Sequence, residues 1–322
     1  MIQPELAQPA VDGVDAAVPR PAPDAFDALL PGQMAVRGVE IGSRKAAMGA
    51  VPMFVLGVLA GAFIALGAAF ATTVGAGSAT VTGPDGALVA SVLLPYGVTR
   101  LLMGLAFSLG LILVVVAGAE LFTGNVLIVM AWASRRVSTN RMLRNWGIVY
   151  AGNLVGAVGT AALVVLGGWY RTGGSGVGAS SLAIASSKVA HSFPEAFVLG
   201  ILCNVLVCLA VWLTYSARST TDRILAIVPP IAAFVAMGFE HSVANMFFIP
   251  VAIMIRAAAP ADFWTQTHLD PAAFASVDVA GFVANAIPVL LGNIVGGAVF
   301  VAAVYWLVFL RGKPTSDPEP EA

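Results

Sequence analysis

Apolar residues run along this chain in six long blocks, and the polar positions that interrupt them decide how each block is read. The blocks extend over about residues 50–74, 98–132, 146–170, 193–215, 224–255 and 282–310. A helix needs about 20 apolar residues to cross the roughly 30 Å hydrocarbon core of a bilayer, so every block is long enough to span one. The second and fifth are too long for a single straight span. Each carries a polar cluster inside it, Glu120-Leu121-Phe122-Thr123-Gly124-Asn125 in one and Phe239-Glu240-His241-Ser242-Val243-Ala244-Asn245 in the other. Ordinary spans do not hold buried carboxylates, so each of these blocks is expected to be two half-helices joined at membrane depth. Such breaks are tolerated where the unwound backbone lines a cavity or is buried in protein.

The two halves of the chain repeat. Gly118, Glu120 and Asn125 pair with Gly238, Glu240 and Asn245 at one fixed offset of 120 positions. Asn145, Gly152, Asn153 and Gly156 pair with Asn285, Gly292, Asn293 and Gly296 at 140, and Leu56-Gly57-Val58-Leu59 pairs with Leu199-Gly200-Ile201-Leu202 at 143. Three spans per copy is an odd number, so the second copy must enter the membrane upside down. The expected fold class is an all-α membrane protein, a six-span bundle built from two inverted three-helix repeats with spans 2 and 5 broken. The paired glycines of spans 3 and 6 read as small-residue helix contacts.

Composition excludes the main alternatives. With 59% apolar and only 10% charged residues and a mean hydropathy of +0.90, the chain cannot hide its apolar surface in a soluble fold. A formal net charge of -1 gives no footprint for nucleic acid. Cys203 and Cys208 lie five apart in one apolar run, on different helix faces, which suits packing and neither a disulfide nor a metal. No metal site, cofactor motif or catalytic constellation is present in the pattern, so a transporter is expected rather than an enzyme.

Residues 1–31 are rich in Ala, Pro and Asp and lack a basic start followed by an apolar core, so they read as a disordered extension rather than a signal peptide. Residues 32–48 mix Met34, Val36, Val39 and Ile41 with Arg37, Glu40, Arg44 and Lys45, the pattern of an amphipathic helix at the membrane surface. Residues 49–310 form the pore domain and 311–322 a polar tail. Arg37, Arg44, Lys45, Arg135, Arg136, Arg141, Arg144, Arg218, Arg223 and Arg311 fall on one side of the spans, against Arg100, Arg171, Lys188 and Arg256 on the other. By the positive-inside rule both termini are cytoplasmic.

A carboxylate at the bilayer centre costs about 2.5–3.5 kcal/mol on insertion scales, so two at matched positions need partners. Glu120 and Glu240 are expected to accept hydrogen bonds from backbone N–H groups freed at the breaks, and Asn125 and Asn245 to tie down the starts of the second half-helices. All four read as scaffold. His241 stands at the break itself in a chain with only two other histidines, His191 and His268. Histidine changes charge near neutrality, so this residue is suited to hydrogen-bond an anion and protonate it. Thr123 offers a hydroxyl to the same region and Asn204 an amide. Phe107, Leu111, Leu121, Phe122, Val207 and Phe234 lie near the breaks and are candidates for apolar collars that exclude hydrated ions, although spacing alone does not single them out.

The two break sequences, together with Ile287-Pro288-Val289-Leu290-Leu291-Gly292-Asn293-Ile294-Val295-Gly296-Gly297, closely resemble the formate/nitrite transporter family, and within it the formate channel branch. The likeness runs from about Gln33 to Leu310. It implies an aquaporin-like protomer in a homopentamer of the inner membrane, each protomer with its own pore and no cofactor. It also implies transport roles for Thr123 and His241, a pore asparagine at Asn204, and constrictions at Phe107, Leu111, Leu121, Phe122, Val207 and Phe234. Lys188 matches the lysine of an outer vestibule, whose charge would draw anions inward. Where the family often has a second histidine beside that lysine, this chain has Ala190 followed by His191. The expected substrate is formate, with nitrite or hydrosulfide as alternatives, moved together with protons through histidine-assisted protonation. The 32–48 helix is the expected pH gate at the cytoplasmic mouth. A neutral-solute pore of the aquaporin type would call for paired NPA-type breaks, which this sequence lacks.

Overall fold

The structure, a computed structural model, describes residues 27–312 except 78, 83–87 and 93. The expected extension up to residue 26 and the tail beyond 312 therefore lie outside the described residues. Helix α1 (Pro31–Ala47) precedes α2 (Ala50–Gly75). An antiparallel hairpin, β1 (Ala79–Thr82) with β2 (Leu88–Val92), leads to α3 (Tyr96–Ala117). The first broken span continues through a single turn α4 (Phe122–Asn125), a 3-10 turn (Val126–Ile128) and α5 (Val129–Ala133). Then come α6 (Thr139–Leu166), α7 (Gly176–Val189) and α8 (Phe193–Ser216). The second broken span is α9 (Thr220–Ala236) and α10 (Ser242–Ala258). After α11 (Ala261–Thr267), α12 (Val279–Val295) passes through a π-helical stretch (Gly296–Ala303) into α13 (Val304–Phe309).

All six apolar blocks are helical, and both predicted breaks are present. Among the described residues, five helical segments are long and apolar enough to cross a membrane. The remaining block is divided between α9 and α10, with 17 residues in each. Outward faces carry large apolar side chains such as Val51, Leu163 and Val308, each more than 60% exposed, as expected of a surface whose solvent is lipid. The short two-stranded hairpin lies in the loop between α2 and α3 and leaves the bundle all-α.

Close helix contacts organise each repeat. A Cβ at Gly152 would lie 2.7 Å from the Phe54 carbonyl, and one at Gly292 or Gly296 would run into the carbonyls of Phe197 and Ile201. The paired glycines thus seat α6 on α2 and α12 on α8, the small-residue contact the sequence pattern implied. Both breaks begin at a left-handed glycine, Gly118 with φ +80° and Gly238 with φ +75°. Only glycine adopts that conformation without strain, so it ends the first half-helix and turns the chain.

Helix α1 differs from a helix lying on lipid. Its small-residue face of Ala35, Gly38, Gly42 and Ala46 is buried, with Gly38 against Tyr215 and Met130 and Gly42 against Ala131 and Ile128. The Arg37 guanidinium donates to the Tyr215 carbonyl at 3.0 Å. The small-residue face therefore covers α5 and the end of α8, while Val36 on the other face is exposed.

Candidate functional site

Each break is held by a four-residue polar network, and the two networks are near copies. At the first, Lys45 Nζ of α1 donates to Glu120 Oε1 at 2.7 Å and Asn125 Nδ2 donates to Glu120 Oε2 at 2.7 Å. Asn125 Nδ2 also reaches Asn145 Oδ1 at 2.9 Å, and Asn145 Nδ2 returns to the Lys45 carbonyl. At the second, Lys188 Nζ of α7 donates to Glu240 Oε1 at 2.7 Å, Asn245 Nδ2 to Glu240 Oε2 at 2.7 Å and to Asn285 Oδ1 at 2.8 Å, and Asn285 Nδ2 to the Lys188 carbonyl. The second pair is the drier one, since the Lys188 side chain is 12% exposed against 27% for Lys45.

These contacts correct two expectations. The glutamates do not take up the freed backbone N–H groups. Instead Asn153 Oδ1 accepts from the Phe122 N–H at 2.9 Å while its Nδ2 donates to the Gly57 and Glu120 carbonyls. Asn293 does the same with the Ser242 N–H and the Gly200 and Glu240 carbonyls. The Glu120 and Glu240 N–H groups go to the carbonyls of Leu56 and Leu199. Nor do Asn125 and Asn245 secure the half-helix starts, because their amides are directed at the glutamates. The reason is charge: a buried carboxylate gains more from a lysine and an amide than from a neutral N–H, and a lone asparagine amide can satisfy the backbone on its own.

Lys45, Asn145, Asn153, Asn285 and Asn293 are network residues that the sequence marked only as repeat or charge positions, without a role at the breaks. A signal was available, for Lys45 and Lys188 are 143 positions apart, the same offset that relates α2 to α8. Helix α7 is accordingly the counterpart of α1. Removing α1 would therefore also strip Glu120 of its counter-charge.

Between the two networks the breaks meet. Thr123 Oγ1 lies 3.1 Å from His241 Nε2, and both residues are buried. His241 Nδ1 accepts from the Ala244 N–H at 3.0 Å, capping α10. An accepting Nδ1 carries no hydrogen, so in this arrangement the proton is on Nε2, pointing at the threonine hydroxyl. Asn204 Nδ2 donates to the carbonyls of Thr123 and Asn293 at 3.3 and 2.6 Å. Facing two carbonyls, that atom must be the amide nitrogen, which leaves Asn204 Oδ1 as a buried acceptor without a partner.

Apolar side chains flank this polar centre. The Phe234 ring stacks on His241 with centroids 5.8 Å apart, and Phe107 meets Phe234 edge-on at 5.6 Å. On the α1 side a cavity of about 360 Å³ is lined by Arg37, Lys45, Glu120 and Arg223 together with Leu111 and Leu121. Val207 is buried on α8, one turn beyond Asn204. Phe122 is placed differently, held edge-on by Tyr150 at 5.0 Å and Trp146 at 6.1 Å on α6. On the α7 side Lys188 Nζ sits 5.5 Å from the Phe248 ring centroid, and His191 Nε2 is 3.9 Å from Glu240 Oε1.

The formate/nitrite transporter family model matches residues 32–307, nearly the whole helical bundle. The chain belongs to the formate/nitrite transporter family. Among its relatives is the formate channel FocA of Escherichia coli K12, 45% identical over 90% of this chain and 98% of that protein. Formate channel FocB of the same organism is 38% identical over 90% and 98%. Of solved structures, a pentameric formate channel with formate bound superposes with a TM-score of 0.73 at 45% identity, covering 81% of this chain and 98% of that one. A second, described as an FNT family ion channel, gives 0.68 at 29% identity over 85% and 98%. Family membership and the apolar spans make this an integral membrane protein of the transporter class.

Proposed function

We propose that this chain forms a pore for formate, one in each protomer of a homopentamer in the inner membrane, with both termini cytoplasmic. The observation that carries the reading is the Thr123 Oγ1···His241 Nε2 contact, a hydroxyl and an imidazole placed together where the two breaks meet. Support comes from relatives named as formate channels and from a pentameric structural neighbour. Lys188 meets an incoming anion on the α7 side as the cationic half of its 2.7 Å pair with Glu240 rather than as a free charge. Phe107, Leu111, Leu121, Val207 and Phe234 form the dry stretch in which an anion could not shed its water cheaply.

Passage is as the neutral acid, with His241 assisting. The centre offers Nε2–H and Oγ–H as donors and the unpartnered Asn204 Oδ1 as an acceptor. A carboxylate has no hydrogen for that acceptor, whereas a protonated acid has one. For His241 to deliver the proton its ring must first be doubly protonated, which requires Nδ1 to give up the Ala244 N–H. The imidazolium then passes its Nε2 proton to a carboxylate oxygen, leaving a neutral ring with its hydrogen on Nδ1, and the cycle closes when Nε2 takes up a new proton and Nδ1 releases its own to accept the Ala244 N–H again.

The test is uptake into proteoliposomes at two pH values with formate, nitrite and hydrosulfide. Wild-type formate uptake should rise as the outside pH falls, and His241→Phe should abolish that pH-dependent uptake with pentamer assembly intact. Unchanged formate flux in the variant would sink the histidine role. Faster nitrite or hydrosulfide uptake than formate uptake by the wild type would reassign the substrate.

A further inference from the structure

The two repeats differ in one place that the transport reading does not use. At an offset of 143, the counterpart of Asn204 is Gly61. In the first repeat, a Cβ at Gly61 would run into the Asn153 carbonyl, so α2 and α6 touch backbone to backbone there. In the second, Asn204 puts a whole side chain into the same gap and donates to the equivalent carbonyl, that of Asn293. One residue beyond α12, the helix widens from α to π over Gly296–Ala303, whereas the matching part of α6 remains α-helical. A π stretch adds a residue to the turn and displaces one helix face. It lies directly on the inserted amide, for a Cβ at Gly297 would be 2.7 Å from both Asn204 Nδ2 and Cys208 Sγ and 2.8 Å from Val126. The first-repeat position matching Gly297 is Ala157, whose Cβ is accommodated.

We propose that the π-helical stretch is what admits Asn204 to the centre of the pore, and that Gly297 is a positioning residue for its amide. A side chain at 297 would push Nδ2 off the carbonyls of Thr123 and Asn293. Of its side-chain donors the Thr123 carbonyl would then keep the Cys208 thiol at 3.4 Å, and Asn204 Oδ1 would no longer be held at a fixed place beside Thr123 and His241. This inference rests on the pore reading given above.

A double-mutant cycle tests it, with Gly297→Ala, Asn204→Ala and the pair compared in proteoliposomes for formate flux, formate-to-nitrite flux ratio and pH profile. Pentamer assembly is checked by gel filtration. Gly297→Ala should lower formate flux about tenfold, within the net value of the two hydrogen bonds displaced, and shift the flux ratio in the same direction as Asn204→Ala. In the Asn204→Ala background it should add less than about twofold, because coupled sites are not additive. Additive losses, or a flux ratio that stays at the wild-type value in Gly297→Ala, would overturn the proposal. If Gly297→Ala does not assemble, the same comparison is made in a Cys208→Ala background, which removes one of the crowding atoms. A wild-type protein that carries no formate would refute the pore reading itself, whereas an active wild type with an additive cycle refutes only the role of Gly297.

Discussion

The first and second repeats share their scaffold and differ in their centres. Lys45, Glu120, Asn125 and Asn145 match Lys188, Glu240, Asn245 and Asn285 in role, and Asn153 matches Asn293, with two local differences: Lys45 also donates to Asn125 Oδ1, and Asn285 also donates to Glu240 Oε2. Yet Leu121 stands where the other copy has His241, Thr123 where it has Val243, and Gly61 where it has Asn204. Duplication preserved whatever holds an unwound backbone in a low-dielectric medium. It let go of symmetry wherever a single small molecule has to be met from two sides.

The largest expected effect is at the ion pairs. Lys188→Met leaves Glu240, 2% exposed, without its counter-charge, and should cost about 3–5 kcal/mol as an orphaned buried charge. Lys45→Met should cost clearly less, because its pair is wetter. Thermal unfolding in detergent compares the two, and Lys188→Met/Glu240→Gln should recover most of the loss. Equal melting temperatures for the two lysine variants would break the claim that the second network is the drier one.

Next in size are the backbone clamps. Asn153→Ala and Asn293→Ala each remove three hydrogen bonds, about 3 kcal/mol at roughly 1 kcal/mol apiece. Matching losses on the two sides sharpen the equivalence of the scaffolds, and a loss confined to one side ends it. Asn293→Ala has an extra readout, since the Asn293 carbonyl also holds Asn204.

The smallest stability change and a large functional one are expected at Thr123. Thr123→Val keeps the shape and removes the partner of His241 Nε2, so unfolding should move by about 1 kcal/mol while formate flux falls about tenfold. The opposite ranking, a folding defect with flux per assembled pentamer unchanged, would assign Thr123 to the scaffold.

Much of this was legible in the chain. Block length gave six spans, interior polarity gave the two breaks, and fixed offsets gave the inverted repeat. Glu120 and Glu240 were readable as buried because their flanks are apolar for many residues on both sides. Their partners were harder to read, since Lys45 and Lys188 sit on helices remote in sequence, and a basic residue near a span end looks like an orientation signal. Phe122 shows the same limit in reverse. Its place beside Leu121 and Thr123 marks it for the constriction, yet its ring is held by Trp146 and Tyr150 on α6.

The sequence by itself determined the crossings, the duplication and the family, because hydropathy, glycine conformation and repeat offsets are local properties that survive without contacts. Only the tertiary structure decided which donor meets which acceptor. That Asn153 rather than Glu120 satisfies the Phe122 N–H, that α1 buries its face on protein, and that α12 must widen into a π-helix around Asn204 all follow from distances between distant segments. A buried polar group is stable only when its partner arrives within about 3 Å, and that distance is set by packing.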